Sequence, residues 1–280
     1  MLTRLHLCLP ACLALLVLQS SAPVVARHAP SKVAQLEDFA NAFANVPCED
    51  GERLAAVRGL FEQAGAPTEA ITLDRHDGVD NLVVVKPGKT AEKIVIGAHY
   101  DKVADGCGAV DNWTGLVAMT ALYQTLRDIP LDKTVVFAAF GKEEKGLVGS
   151  RAMVRAIPED QLPQYCAMIN IDSLGLGPPQ VADNMSSKAM GAFAGALAKE
   201  MEIPFAHASI GRANSDSSSF VARKIPAVTI HGLNNDWRTI LHSGNDQAAK
   251  VNPVSVYLGY RLALGMVVRL DQAACDAYRE

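Results

Sequence analysis

The sequence is short of the features that mark several protein classes. Of its 280 residues only 20% are charged, and 26 Lys and Arg face 30 Asp and Glu, for a formal net charge of −4. So little charge beside 49% apolar residues does not describe a disordered chain. The missing basic excess, with a pI near 6.0, argues against a nucleic-acid partner, because phosphate binding needs a dense Lys/Arg surface. Six cysteines are too few for a disulfide-built scaffold of this length. There is no internal repeat, no low-complexity tract and no long linker that would divide the chain. What remains is an ordinary globular protein, long enough to bury one large core or two small ones.

The N-terminus stands apart from the rest. Met1-Leu-Thr-Arg4 leads into an apolar run from Leu5 to Leu18, broken by Pro10, and then Gln19-Ser-Ser-Ala22. A basic start, a short apolar stretch and small residues describe a secretory signal peptide. The run is shorter than the roughly 20 residues of a bilayer span. Val24-Val25-Ala26 offers a cleavage site, whereas cleavage after Ala22 would leave Pro23 leading. Residues 1–26 are thus read as a signal peptide and residues 27–280 as one domain. The protein is then exported, periplasmic or extracellular, and free of the membrane once cut. A retained membrane anchor is the competing reading. A lipoprotein reading through Leu9-Pro-Ala-Cys12 is weaker, since its cysteine lies inside the apolar run.

Cleavage removes Arg4 and no acid, leaving 25 basic against 30 acidic residues, a net charge of −5. It leaves Cys48, Cys107, Cys166 and Cys275. In an oxidising compartment one or two disulfides are expected. Four cysteines allow three full pairings, and sequence does not choose among them; free buried thiols are the alternative.

Periodicity predicts amphipathic helices over residues 32–45 and 50–65, the second with Leu54, Val57, Leu60, Phe61 and Ala64 at helical spacing and Gly65 at its end. Strands are expected over 79–86, 93–98, 134–140, 166–171 and 227–230, and further helices over 114–126, 147–157, 187–201 and 254–270. Strands that are apolar throughout and alternate with helices indicate an α/β fold: a mostly parallel, mixed central sheet covered by helices on both faces.

Polar residues gather where these strands end. The strand ending at Ala98 runs into His99-Tyr-Asp101, the one ending at Phe140 into Gly141-Lys-Glu143-Glu144, and the one ending at Ile171 into Asp172. Open parallel sheets bind ligands just beyond the carboxyl ends of their strands. Two loops add Asp111 and His242. A lone loop histidine or a Glu-Glu pair is ordinarily a solvated surface feature; the whole set is not. Imidazole plus carboxylate without thiolate suits zinc or a similar divalent ion in a hydrolytic site. Two His and three carboxylates suffice for two ions if one carboxylate is shared.

The order and spacing resemble the co-catalytic zinc aminopeptidases and carboxypeptidases of metallopeptidase family twenty-eight. The matching blocks are Gly97-Ala-His-Tyr-Asp-Lys102, Gly108-Ala-Val-Asp-Asn-Trp-Thr-Gly115, Glu143-Glu-Lys-Gly-Leu-Val-Gly-Ser150, Asn170-Ile-Asp-Ser-Leu-Gly175 and Leu241-His-Ser-Gly-Asn-Asp246. They span roughly residues 80 to 260. The resemblance implies a zinc exopeptidase fold acting on a peptide or amino-acid derivative, with two zinc ions. His99, Asp111 and Asp172 would bind one ion, and Asp111, Glu144 and His242 the other. Asp101 would hydrogen-bond His99, fixing its tautomer, and Glu143 would serve as general base. The Asp111-Asn112 peptide would be cis.

Some positions depart from the family pattern. Ser215-Asp216-Ser217 stands where Ser-Asp-His is usual, and the usual Tyr shortly before the last metal His is not evident; Trp237 and Ile240 occupy that neighbourhood. Both departures leave the source of carbonyl stabilisation open. Arg212 could meet a substrate carboxylate but reads more simply as a surface residue. Asp246 follows the last His at the family's spacing and is expected to orient that loop. Trp113 reads as packing near the site or as an aromatic wall for the substrate. Two other classes stay in view. One is an aminoacyl cyclotransferase of the glutaminyl cyclase type, with one zinc. The other is a catalytically inactive binding domain, which should lack ligands that this chain retains.

Overall fold

The computed structural model describes residues 32–76 and 78–280; the signal-peptide reading of residues 1–26 lies outside them. Helix α1 (Leu36–Ala40) is much shorter than the 32–45 segment that periodicity predicts. It stops at Asn41, and the chain continues in turns to Asn45 ahead of Pro47. Helix α2 (Asp50–Gln63) follows. Its end is a Schellman motif: Gly65, at φ +90°, donates to Glu62 O, and Ala66 donates to Phe61 O at 2.8 Å.

Four of the five expected strands appear as β2 (Val79–Lys86), β3 (Lys93–His99), β4 (Thr134–Phe140) and β5 (Tyr165–Ile171), and the last as β8 (Ala227–His231). Three others went unforeseen. β1 (Ile71–His76) is a half-exposed edge strand, too polar to show an apolar run. β6 (Gln180–Ala182) and β7 (Ala206–Ala208) have three residues each, too few for a pattern. The eight strands form one sheet in the order β1-β2-β4-β3-β5-β8-β6-β7. Pairs β3–β4, β3–β5, β5–β8 and β6–β7 are parallel, and β1–β2, β2–β4 and β6–β8 antiparallel. The sheet is therefore mixed with a parallel centre, as the apolar strands imply.

Strand alternation divides the core in two. Ile94, Ile96, Phe137, Ala139, Ala167, Ile169 and Ile171 face the larger cluster, which α2, α3 (Thr114–Leu126), α5 (Lys188–Glu200) and α7 (Pro253–Gln272) cover. Val95, Ala138, Phe140 and Met168 face the smaller one, under α4 (Val148–Ala156) and α6 (Ser217–Val221). Both faces are thus covered, as a parallel sheet requires. Residue 97 has no room for a side chain on the second face: a Cβ there would lie 2.5 Å from the Phe140 ring and 2.7 Å from the Met168 methyl. Among the described residues, no helix is long and apolar enough to cross a membrane.

Cys48 pairs with Cys107, and Cys166 with Cys275. The first joins the approach to α2 to the loop that carries Asp111. The second ties the segment after α7 to β5.

Candidate metal centre

The carboxyl ends of β3, β4 and β5 lie side by side and present His99, the Glu143-Glu144 loop and Asp172 to one point, which the loops bearing Asp111 and His242 close over. Asp111 is central. Its Oδ1 lies 3.0 Å from His99 Nε2, and its Oδ2 lies 3.1 Å from His242 Nε2. Asp172 Oδ1 approaches the first ring at 3.5 Å, and Glu144 Oε2 the second at 3.2 Å. The geometry is two half-sites sharing one carboxylate.

A second layer of contacts holds these groups. His99 Nδ1 sits 3.1 Å from the Asp101 carbonyl oxygen and so donates to it, which leaves Nε2 as the ring nitrogen that faces Asp111. The resemblance implied a bond from the Asp101 carboxylate to this ring. The carboxylate stands farther off, at 3.7 Å, and instead accepts the backbone N–H groups of Glu143 at 2.9 Å and Glu144 at 3.2 Å. Asp246 does for Asp111 what it was expected to do for the His242 loop: it accepts from Val110 N at 2.7 Å and Asp111 N at 3.1 Å. The Asp111-Asn112 peptide is cis. The Asn112 side chain joins this loop to β5, donating to Ile171 O at 2.8 Å and accepting from Ser173 N at 3.1 Å.

Sequence reasoning missed several of these supports. Arg53 is fully buried on α2 and donates to the carbonyls of Pro47, Tyr100, Cys107 and Gly108. Asn81 accepts from Gly141 N and donates to Gly149 O, bracing the loop that carries Glu143. Gly149 is bare for the same reason, since a Cβ there would lie 2.3 Å from Asn81 Oδ1. An Asn interrupting an apolar strand, as Asn81 and Asn170 do, was the available signal. Lys142, Ser173 and His242 all have φ near +60°, a region that costs non-glycine residues energy and recurs at functional sites. Trp113 is buried against Arg53, which lies over its ring at 5.0 Å, and borders a different cavity between α1, α2 and α3. It is not an aromatic wall of this site; Trp237 is.

The site's charges are unbalanced. Asp111, Glu143, Glu144, Asp172 and the fully buried Asp216 gather around two imidazoles. Burial works to raise the Asp111 carboxyl, but the His242 and His99 rings override it and hold the group well below the usual carboxylate range. Hydrogen bonds to Asp111 and Glu144 lift His242 to about 10. Burial pushes Glu143 up to about 10; His99 opposes the rise, and Asp216, Asp172 and Asp111 add to it. Burial likewise lifts Asp216 to about 7. Two protonated imidazoles cannot neutralise so many buried carboxyl groups, and Glu144 Oε1 is buried with no hydrogen-bond partner. Divalent cations answer both facts. Tetrahedral zinc bonded to N and O at 2.0–2.2 Å sets its ligand atoms roughly 3.4 Å apart, close to the 3.0–3.5 Å separations within the two half-sites. The donor set therefore fits zinc.

Beside these groups lies a cavity of about 220 Å³, walled by Glu143, His231 and the apolar Met185, Ile210, Leu233 and Trp237. It offers space for a small side chain next to the reactive groups.

Comparison with known proteins gives a consistent picture. The model of peptidase family M28 matches residues 81–264. Aminopeptidase YwaD of Bacillus subtilis is 32% identical over 127 residues, covering 45% of this chain and 27% of that protein. A probable leucine aminopeptidase of Arthroderma otae is 27% identical over 263 residues, 87% of this chain and 72% of that one. This chain thus spans about a quarter of the Bacillus protein's length. Among solved structures, LapA aminopeptidase of Legionella pneumophila superposes with a TM-score of 0.72 at 19% identity, over 85% of this chain and 70% of its own. A glutaminyl cyclase from an Acidobacteriales bacterium gives 0.69 at 18% identity, over 90% and 99%. At such identities the likeness is one of fold.

Proposed function

Because the chain belongs to peptidase family M28, we propose that it is an exported zinc-dependent aminopeptidase that removes N-terminal residues from peptides. The observation that carries this reading is the Asp111 carboxylate, which turns one oxygen to His99 and the other to His242 with Glu143 in the same cavity wall. His99, Asp111 and Asp172 would hold one ion, and Asp111, Glu144 and His242 a second. Zinc, when bound, supplies Lewis acidity that makes water acidic near neutral pH and polarises a carbonyl.

The remaining work falls to the chain. Glu143 takes a proton from the attacking water onto its carboxylate and returns it to the leaving amine nitrogen. Burial in the bare site pushes its pKa up to about 10; bound divalent cations would favour the ionised form, leaving a carboxylate that can accept the proton. Asp101 fixes Glu143 and Glu144 relative to each other through their backbone N–H groups. The acidic walls suit the cationic α-amine of the substrate, and Met185, Ile210, Leu233 and Trp237 exclude water around its side chain. Export is supported by the signal-like residues 1–26 and by two disulfides, which persist in oxidising compartments.

The test uses the zinc-loaded protein with leucine p-nitroanilide and its N-acetylated form. Hydrolysis of the free amine alone is expected. Glu143→Ala should retain zinc and lose activity by about 10²–10⁴-fold; near-normal turnover contradicts the assignment. A second reading, a one-zinc glutaminyl cyclase, is favoured by the near-complete overlap with the cyclase fold. Cyclisation of an N-terminal Gln peptide without anilide hydrolysis would establish it.

A further inference from the structure

A site walled by carboxylates leaves one need of peptide hydrolysis that its acidic side chains do not meet. When the oxygen of water bonds to the carbonyl carbon, the π pair of the C=O moves onto its oxygen. That oxygen then needs hydrogen-bond donors. The family pattern would place a His at residue 217 and a Tyr before His242, and this chain has neither.

The donors around the cavity are mostly committed elsewhere. Ser173 Oγ donates to Asp172 Oδ1 at 3.0 Å, and Ser215 Oγ to Asp172 Oδ2 at 2.5 Å. Thr229 Oγ1 pairs with Ser217 Oγ at 2.6 Å. His242 faces Asp111 and Glu144. His231 differs. It ends β8, is 2% exposed and lines the same cavity as Asp111, Glu143 and Asp172. The backbone N–H of Leu233 donates to its Nδ1 at 3.3 Å. Nδ1 is therefore an acceptor, which assigns the ring proton to Nε2. Burial favours this neutral form. Nε2 is buried and has no hydrogen-bond partner in the protein, a costly condition unless a ligand relieves it.

We infer that His231 is a catalytic residue whose Nε2–H donates a hydrogen bond to the carbonyl oxygen of the scissile peptide. It keeps its proton throughout. As the C–N bond breaks, the pair on oxygen reforms the C=O, and the amine leaves with the proton that Glu143 delivers. This inference rests on the aminopeptidase reading above.

Two substitutions test it in the zinc-loaded enzyme. His231→Asn can still accept from Leu233 N but places nothing at the Nε2 position, whereas His231→Gln can set an amide N–H near it. For His231→Asn, kcat on leucine p-nitroanilide should fall about 10²–10³-fold with KM changed little, the signature of a donor used in the transition state. His231→Gln should recover part of the loss. Inhibition by an aminoalkyl boronic acid, which takes up hydroxide to become a tetrahedral anion, should weaken by a similar factor in His231→Asn. Inhibition by butylamine, which has no oxygen, should not change, and zinc content should stay at the wild-type level. A His231→Asn kcat within threefold of wild type overturns the inference. So does equal weakening of both inhibitors with loss of zinc, which would mark a structural role. A wild-type enzyme that hydrolyses no anilide overturns the aminopeptidase reading itself, and this inference with it.

Discussion

Replacing Arg53 with Met should destabilise the protein by about 3–5 kcal/mol and loosen the metal loops, although Arg53 is no metal ligand. Its guanidinium is sealed from solvent inside the fold. Nη1 donates to Pro47 O at 3.0 Å and to Cys107 O at 2.9 Å, Nη2 to Gly108 O at 3.2 Å, and Nε to Tyr100 O. Burial lowers its pKa to about 10, so it remains a cation at neutral pH. A hydrogen bond to a charged group contributes about 1.5–3 kcal/mol, so four taken independently would sum to about 6–12 kcal/mol. They share one side chain whose desolvation opposes them, which brings the net near the range for breaking a buried charged arrangement. The consequence for function follows from position: Tyr100 precedes Asp101, and Gly108 opens the turn to Asp111. Urea unfolding of the metal-free, disulfide-intact protein measures the loss, expected as a midpoint shift of about 1–2 M for an m-value near 3 kcal/mol/M. Arg53→Lys should recover less than half, because an ammonium is a compact point charge that cannot span four carbonyls as the planar fork does. A loss below about 1 kcal/mol in Arg53→Met, or full recovery by Lys, would refute the reasoning.

Asp246→Ala strips the acceptor from Val110 N and Asp111 N and should weaken zinc binding about 10–100-fold in competition with a chromophoric chelator; unchanged affinity would mean that Asp111 holds itself in place. Dialysis against a chelator should abolish hydrolysis and added zinc restore it, with native mass spectrometry counting two ions per chain. A count of one supports the single-zinc reading instead. The double substitution Cys166→Ser and Cys275→Ser opens a bridge across 109 residues and should lower stability by about 4–5 kcal/mol if chain entropy dominates. Calorimetry showing an unmoved melting temperature would reject that account.

The fold was legible where residues repeat. β3, β4 and β5 are continuous apolar runs, and α2, α3 and α7 carry helical spacing over many residues, so their positions follow from pattern alone. β1, β6 and β7 escaped notice because an edge strand is half polar and a three-residue strand has no period. α1 was overextended, because its spacing continues past the point where the backbone turns at Asn41. The candidate ligands were legible for another reason. His99, Glu143-Glu144 and Asp172 each follow a buried strand, and parallel strands end at a common edge.

What the sequence determined by itself is the type of donor group and the candidate residues that offer it, since donor type and strand position are both written locally. The tertiary structure alone decided how those residues are aimed and held. It gave the Asp101 carboxylate to the Glu143-Glu144 backbone, turned Asp246 toward Asp111, pinned two loops together with Arg53 and left His231 Nε2 without a partner. It also selected Cys48–Cys107 and Cys166–Cys275 among three pairings. These are contacts between residues as many as 136 positions apart. No local pattern encodes them, because each exists only once packing has brought two separate backbones within hydrogen-bonding reach.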